Sequence, residues 1–253
     1  MLSAERKRLI LETAGQDGRV IASELSRRFN VSEDTIRRDL RELAAEGLLH
    51  RVHGGALPLP KPPVSVSFAS RAAQSHEAKA VIARAAAALV RNGQVIAVDG
   101  GTTPLEVAQQ FPPDLRATVV THSLPVLEAL AARPGIELIS IGGRVFGEAL
   151  VTIGPVAVDA YRSLRPDVCF FGVAGIDVEA GVTALNQDEA LVKRAMLEGA
   201  AQVVAVAAAD KLGTAGPFAV APISRVSHLV TDRSAPDHLL QPFRAAGIEV
   251  VTA

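Results

Sequence analysis

Ile36, Leu40 and Leu43 recur at i, i+4 and i+7, the spacing that places three apolar side chains on one stripe of a helix. Ser32 just ahead of them is a good N-cap, and Val31 can pack back on Ile36. The opposite face carries Asp34, Thr35, Arg38 and Arg41, with Arg37 on its flank. Gly47 suits a left-handed helix end. Upstream, residues 22–29 predict a short helix with Leu25 and Phe29 on one side, and Asn30 tolerates the tight turn between the two. Residues 3–14 supply a support helix through Leu9 and Ile10. Residues 48–52 are apolar enough for a strand, and Gly54-Gly55 permits a hairpin turn. Two short helices joined by a tight turn present the second to the DNA major groove, so residues 1–57 predict a winged helix-turn-helix.

From residue 65 the pattern changes. Short apolar runs at 95–99, 118–121, 138–141, 168–173, 203–208, 228–231 and 249–251 alternate with helical stretches at 76–91, 104–110, 124–132, 155–164, 187–199 and 234–246. Runs such as VIAVD, VCFFGV and VVAVAA are apolar on both faces, which predicts a parallel sheet covered by helices on both sides. Between the two regions, Pro58, Pro60, Pro62 and Pro63 fall within six residues and predict an extended, stiff connection. The expected fold class is α/β, an N-terminal winged helix-turn-helix joined to a parallel-sheet α/β effector domain. The expected divisions are 1–57, a linker at 58–64, and 65–253.

Composition narrows the function classes. Apolar residues make up 49% of the 253 and charged residues 21%, enough for a full core and unlike a disordered chain. The net charge is −1, and the first 57 residues hold ten Lys and Arg against nine Asp and Glu. DNA affinity would therefore come from the placement of a few basic groups and not from bulk charge. A single cysteine, Cys169 in an apolar run, excludes an internal disulfide framework. The absence of a signal-like segment or a membrane-length apolar run predicts a cytoplasmic protein without membrane partners.

Ligands of open parallel sheets bind at the carboxyl ends of the strands. Three strand ends here are small and polar. Asp99-Gly100-Gly101-Thr102-Thr103 leads directly into a helix, where glycines, hydroxyls and free amides suit a phosphate. Thr121-His122-Ser123 and Gly142-Gly143-Arg144 are the other two. Neither a P-loop nor a dinucleotide fingerprint follows any strand, and no cofactor is expected. Glu189 and Lys193 stand at i, i+4, a spacing equally expected of a surface helix pair. Lys211 lies just past strand 203–208. His50 and His53 flank the wing with no cysteine or carboxylate to complete a metal site. No Ser/His/Asp nucleophile arrangement stands out, and no catalytic residue is assigned.

Strung together, VSEDTIRRDL, EGLL and RVHGGA closely resemble the DNA-binding domain of the DeoR family of bacterial transcription regulators. DGGTT resembles that family's DSGTT, with Gly100 in place of Ser, and THS resembles its TNS, with His122 in place of Asn. With GID, NQDE, Lys193-Arg194 and ADK, the second region looks like the family's C-terminal domain, which is similar in fold to ribose-5-phosphate isomerase and senses phosphorylated sugars or related metabolites. The likeness spans about residues 3–232. It implies a non-enzymatic transcription regulator, most often a repressor of a carbohydrate or related operon, acting as a dimer or tetramer on double-stranded operator DNA. Ser32, Thr35, Arg37, Arg38, Arg51 and His53 are the expected DNA contacts. The three strand ends with Glu189, Lys193 and Lys211 are the expected effector site, with Asp99 toward a sugar hydroxyl. The alternative is an isomerase-like enzyme fused to a DNA-binding domain, with Asp99, Asp177 or Glu189 as general base.

Overall fold

A computed structural model describes residues 2–52, 54–58 and 67–253. The chain divides into two compact units, Met1–Pro60 and Lys61–Ala253. In the first, α1 (Ser3–Asp17), β1 (Val20–Ile21), α2 (Ala22–Phe29), α3 (Glu33–Ala45), β2 (Leu49–Val52) and β3 (Gly55–Pro58) follow in order. The Ser32 hydroxyl accepts the Thr35 amide at the start of α3, and Asn30 takes the α2–α3 turn at φ 52°. Ile10, Leu25, Ile36, Leu40 and Leu43 meet in one buried core, and from α1 it is Leu11, not the expected Leu9, that packs against it.

The wing is a three-stranded sheet of order β1-β3-β2. The two-residue β1 is too short to give a sequence pattern. Its approach to β3 requires Gly55, because a Cβ there would stand 2.0 Å from the Val20 carbonyl oxygen. Beneath the helices, Arg6 and Asp39 form a buried bidentate pair, Nε to Oδ2 at 2.5 Å and Nη2 to Oδ1 at 3.1 Å, tying α1 to α3. The hydrogen bond to Asp39 raises the Arg6 pKa above its ordinary value.

The second unit begins with α4 (Phe68–Ala73) and α5 (His76–Ala87). Next come β4 (Val95–Val98), α6 (Thr102–Gln109), β5 (Ala117–Thr121), α7 (Leu124–Leu130) and β6 (Ile136–Ser140). A hairpin of β7 (Arg144–Phe146) and β8 (Val151–Ile153) precedes α8 (Pro155–Arg162) and β9 (Val168–Gly172). The chain continues through β10 (Gly175–Asp177), β11 (Gly181–Ala184), α9 (Gln187–Gly199), β12 (Gln202–Val206), β13 (Phe218–Ala221), β14 (His228–Thr231), α10 (Asp237–Ala245) and β15 (Glu249–Thr252).

Seven parallel strands form the main sheet in the order β15-β14-β12-β9-β4-β5-β6. Alternation along β9 explains its doubly apolar sequence. Phe171 and Cys169 join one core with Tyr161, Val203 and Leu229, while Phe170 and Val168 join the other with Ile82, Val107 and Val126. Burial pushes the Cys169 thiol pKa well up, so it stays an inert packing group.

The β7–β8 hairpin and a small β10-β11-β13 sheet were not expected from the sequence. Their strands are three or four residues long, too short for a period to register. No helix among the described residues is long and apolar enough to cross a membrane.

The strand order positions the site. From β4 the chain steps outward to β5 and β6, then crosses back to place β9 on β4's other side. The connections leaving β4 and β9 diverge, and this switch point opens a crevice at their carboxyl ends.

Candidate functional site

On the first unit, α3 exposes Arg37, Arg38 and Arg41 opposite its buried stripe. The three differ in availability. Arg37 is engaged by Glu33 at 2.8 Å and stands 3.9 Å from Asp34. Arg38 and Arg41 have no ion pair among the described residues. Ser32 and Thr35 hydroxyls lie 2.9 Å apart at the helix start, and Arg51 is exposed on β2. His53 lies outside the described residues. The exposed groups form a basic helix face with hydroxyls at its N-terminal end, which suits phosphate and base-edge contacts of a duplex.

On the second unit, a cavity of about 250 Å³ sits at the switch point. Its floor is Gly100, Gly101 and Gly172, and one wall is the start of α6 with Thr102 and Thr103. These residues precede or begin the helix, whose backbone bonding starts with the Leu105 amide to the Gly101 carbonyl at 3.2 Å. Glu189 and Lys193 enter from α9, and Lys211 from a single 3-10 turn after β12. Arg71, Gln74, Ser75 and Lys79 line it from α4 and the start of α5. Sequence reading missed these four. The one available signal was a pair of cations in a segment otherwise rich in alanine and serine.

Several expected residues do not reach the cavity. Asp99 is wholly buried behind Gly100, so it is not placed toward a sugar hydroxyl. Its Oδ2 accepts the Gly172 amide at 2.9 Å and the Lys193 ammonium. Thr121, His122 and Ser123 are buried as well. The β7–β8 hairpin covers them, the Thr152 amide bonding the His122 carbonyl at 2.8 Å and Ser123 bridging to Val151. The same hairpin draws Gly142, Gly143 and Arg144 out of the cavity wall. Arg144 is exposed and paired with Asp188 at 2.6 Å.

Asp99 and His122 nonetheless form the cavity's foundation. Burial, and then the nearby Lys193 charge, push the His122 pKa down to about 3. The ring is therefore neutral, with one nitrogen accepting. Tyr161, whose pKa burial raises well above the usual phenol value, keeps its proton and places its hydroxyl 2.8 Å from Nδ1, where the two share a hydrogen bond. Nε2 stands 3.7 Å from Asp99 Oδ1, and neither atom has a hydrogen-bond partner among the described residues. Burial works against the Lys193 ammonium, but Asp99 and Glu189 outweigh it and raise its pKa. Lys193 therefore remains a cation at the cavity, 3.6 Å from Glu189. The pair at i, i+4 is a half-buried site feature and not a solvated surface bridge.

Gly100 packs on this foundation. A Cβ there would stand 2.2 Å from Val151 Cγ1 and 3.9 Å from His122 Nε2. Positions 100 and 122, where the chain departs from the DSGTT and TNS patterns, are thus neighbours in space. Among the described residues no group of His, Cys, Asp or Glu could hold a metal ion. Asp177 is committed to its own turn, accepting the amides of Glu179 and Ala180.

Comparison with known proteins gives two family matches. Residues 6–59 match the DeoR-like helix-turn-helix domain, and residues 74–233 match the DeoR C terminal sensor domain. The transcriptional regulator GlpR of Haloferax volcanii is 37% identical over 252 residues, 99% of this chain and 98% of its own. The glycerol-3-phosphate regulon repressor of Escherichia coli K12 is 33% identical over 95% of each chain. The transcriptional repressor GlcR of Bacillus subtilis is 32% identical over 92% of this chain and 90% of its own. Among solved structures, ribose 5-phosphate isomerase A of Methanocaldococcus jannaschii is similar over 55% of each chain at 14% identity, with a TM-score of 0.41, too distant to bear on function.

Proposed function

Because this chain belongs to the DeoR family of helix-turn-helix transcription regulators, we propose that the cavity at the β4–β9 switch point takes a phosphorylated small metabolite that controls operator binding. The protein is a DNA-binding transcription regulator with a sensor domain. The observation that carries the effector reading is the α6 start. Two small hydroxyl residues and glycine backbone face a cavity that four cations, Arg71, Lys79, Lys193 and Lys211, also line. Backbone amides at a helix start and nearby cations together suit a phosphate dianion. Glu189 and Asn186 on the α9 side offer partners for hydroxyls of the remaining carbon skeleton.

A sensing role also fits the chemistry better than the isomerase-like alternative. A general base must reach substrate. Asp99 is buried against Lys193 and Gly172, and Asp177 serves a turn. Glu189 alone of the three carboxylates lines the cavity, and it is paired with Lys193 at 3.6 Å.

The names of relatives direct the choice of ligands, with glycerol 3-phosphate first because one relative is the repressor of that regulon. In calorimetry, glycerol 3-phosphate and hexose phosphates are expected to outbind glycerol and the parent sugars, and Lys211→Ala to weaken them. Equal binding of phosphorylated and unphosphorylated forms refutes this reading. On the DNA side, Arg38 is the base reader, with Ser32, Thr35, Arg37 and Arg51 in support. Arg38→Ala is expected to lose operator footprinting with an unchanged circular dichroism spectrum. The protein would act in the cytoplasm as a repressor and as a two-fold oligomer, since one winged helix covers too little DNA for specificity. Sedimentation with and without operator checks that state; a monomer on DNA refutes it.

A further inference from the structure

The four cations of the cavity are not equivalent. Lys193 is paired with Asp99 and Glu189, and Lys211 with Asp210 at 2.9 Å. Arg71 has no ion pair among the described residues, and its Nε atom is buried without a hydrogen-bond partner there. Lys79 is buried to 6% exposure and spends its ammonium on backbone, donating to the carbonyls of Arg71 and Gln74 at the end of α4. At the other end of α4, the Phe68 amide bonds the Glu148 carbonyl at 2.9 Å, and Glu148 also lines the cavity. The helix is thus held over the cavity by its backbone at both ends, with the unpartnered Arg71 Nε between.

Arg71 lies close enough to repel both Lys79 and Lys193. Burial first, and the Arg71 charge in addition, lower the Lys79 pKa, and Arg71 also opposes the charge on Lys193. An anion entering the cavity would relieve this repulsion and supply the acceptor that Arg71 lacks.

We propose that Arg71 is the clamp of the sensor: its planar fork closes on the effector's phosphate beside the α6 start, and in doing so fixes α4. The proposal rests on the phosphate reading above. Helix α4 is the first described element after the proline-rich segment that leads from the DNA-binding unit. A clamp at this position couples cavity occupancy to the point where the chain leaves for the DNA-binding unit. Lysine would supply charge at position 71 without the two-pronged geometry, so the role calls for arginine.

The test is hydrogen exchange on the full chain with inorganic phosphate alone, then with glycerol 3-phosphate, for wild type, Arg71→Lys and Arg71→Met. In wild type either anion is expected to protect the amides of residues 100–105 and also those of 68–74. In Arg71→Met the 100–105 protection persists at saturating ligand, the 68–74 protection disappears, and affinity falls by about tenfold or more. Arg71→Lys recovers part of the affinity and little of the α4 protection, and it keeps the test alive if the methionine variant folds poorly. Protection of 100–105 without 68–74 in wild type overturns the clamp and leaves the phosphate reading standing. So does full α4 protection in Arg71→Met. No protection at either segment overturns both.

Discussion

Among the described residues each unit buries one ion pair between a helix and a neighbouring element, and the two pairs are built differently. In the DNA-binding unit, Arg6 and Asp39 are 6% and 1% exposed, and a guanidinium fork meets both carboxylate oxygens. In the sensor, Lys193 and Asp99 are 4% and 0% exposed, yet Asp99 Oδ1 has no partner among the described residues and faces a neutral histidine at 3.7 Å. The first pair is closed and its work is architectural, locking α1 onto the helix offered to DNA. The second borders a cavity, with a cation on the cavity side and a chain of polar groups reaching back through His122 to Tyr161. Burial alone therefore does not distinguish a strut from a site. Satisfaction of the last lone pair, and what lies next to the pair, do.

The sharpest break of this comparison is Asp39→Ala. It strands the Arg6 cation in a closed core and is expected to cost about 3–5 kcal/mol, as loss of one partner of a buried pair does. Denaturant unfolding of the full chain is expected to show an early transition of the DNA-binding unit and loss of operator binding, with phosphate affinity retained. An unchanged transition refutes the architectural role.

Lys193→Met is the counterpart. The expected loss is on the order of 1–3 kcal/mol, because Lys193 borders the cavity and a water entering from it can take the place of the lost ammonium beside Asp99, accompanied by weaker phosphate binding. A loss as large as that of Asp39→Ala would erase the distinction between the two pairs.

Gly100→Ala sharpens the site's lower boundary. Its Cβ would press on Val151 at 2.2 Å, an overpacking that costs about 1–3 kcal/mol. Val151→Ala in the same chain is expected to restore part of the loss in a thermal-melt double-mutant cycle. Strict additivity would show that the contact is not the cause.

The smallest effect at neutral pH belongs to His122→Asn. The folded chain holds His122 neutral down to about pH 3, whereas the unfolded chain protonates it from its ordinary value of 6.5. The unfolded state thus binds the extra proton throughout that window. This contribution to stability is intact above pH 6.5 and is lost as pH falls toward 3. His122→Asn lacks that dependence, so its Tm is expected to fall less than wild type's between pH 7 and pH 4.5. Equal falls would refute it.

Much of the DNA-binding unit was legible in the chain. The stripe Ile36, Leu40, Leu43, the Ser32 cap and the Asn30 turn are local features, and each forms as the residue types dictate. The Arg6–Asp39 pair was not legible, because 33 residues separate its partners and neither breaks a local pattern. In the sensor, the parallel sheet followed from strands apolar on both faces, and the DGGTT strand end does border the cavity. The THS and GGR strand ends looked equivalent to DGGTT. They are separated from the cavity only because the short β7–β8 hairpin covers the one and carries away the other.

By itself the sequence determined the elements whose signals are local: amphipathic helices with their caps, doubly apolar strands, and a glycine–threonine turn before a helix. It determined the family through unbroken motifs. Tertiary structure alone decided which polar groups share a cavity. Strand order placed β9 beside β4 and so made Gly172 the floor opposite Gly100. Two helices from before the sheet, α4 and α5, brought Arg71 and Lys79 to the wall. The reason is physical: periodicity and capping are set by neighbours within a few residues, whereas the partner of a buried charge is set by chain crossings that no local spacing encodes.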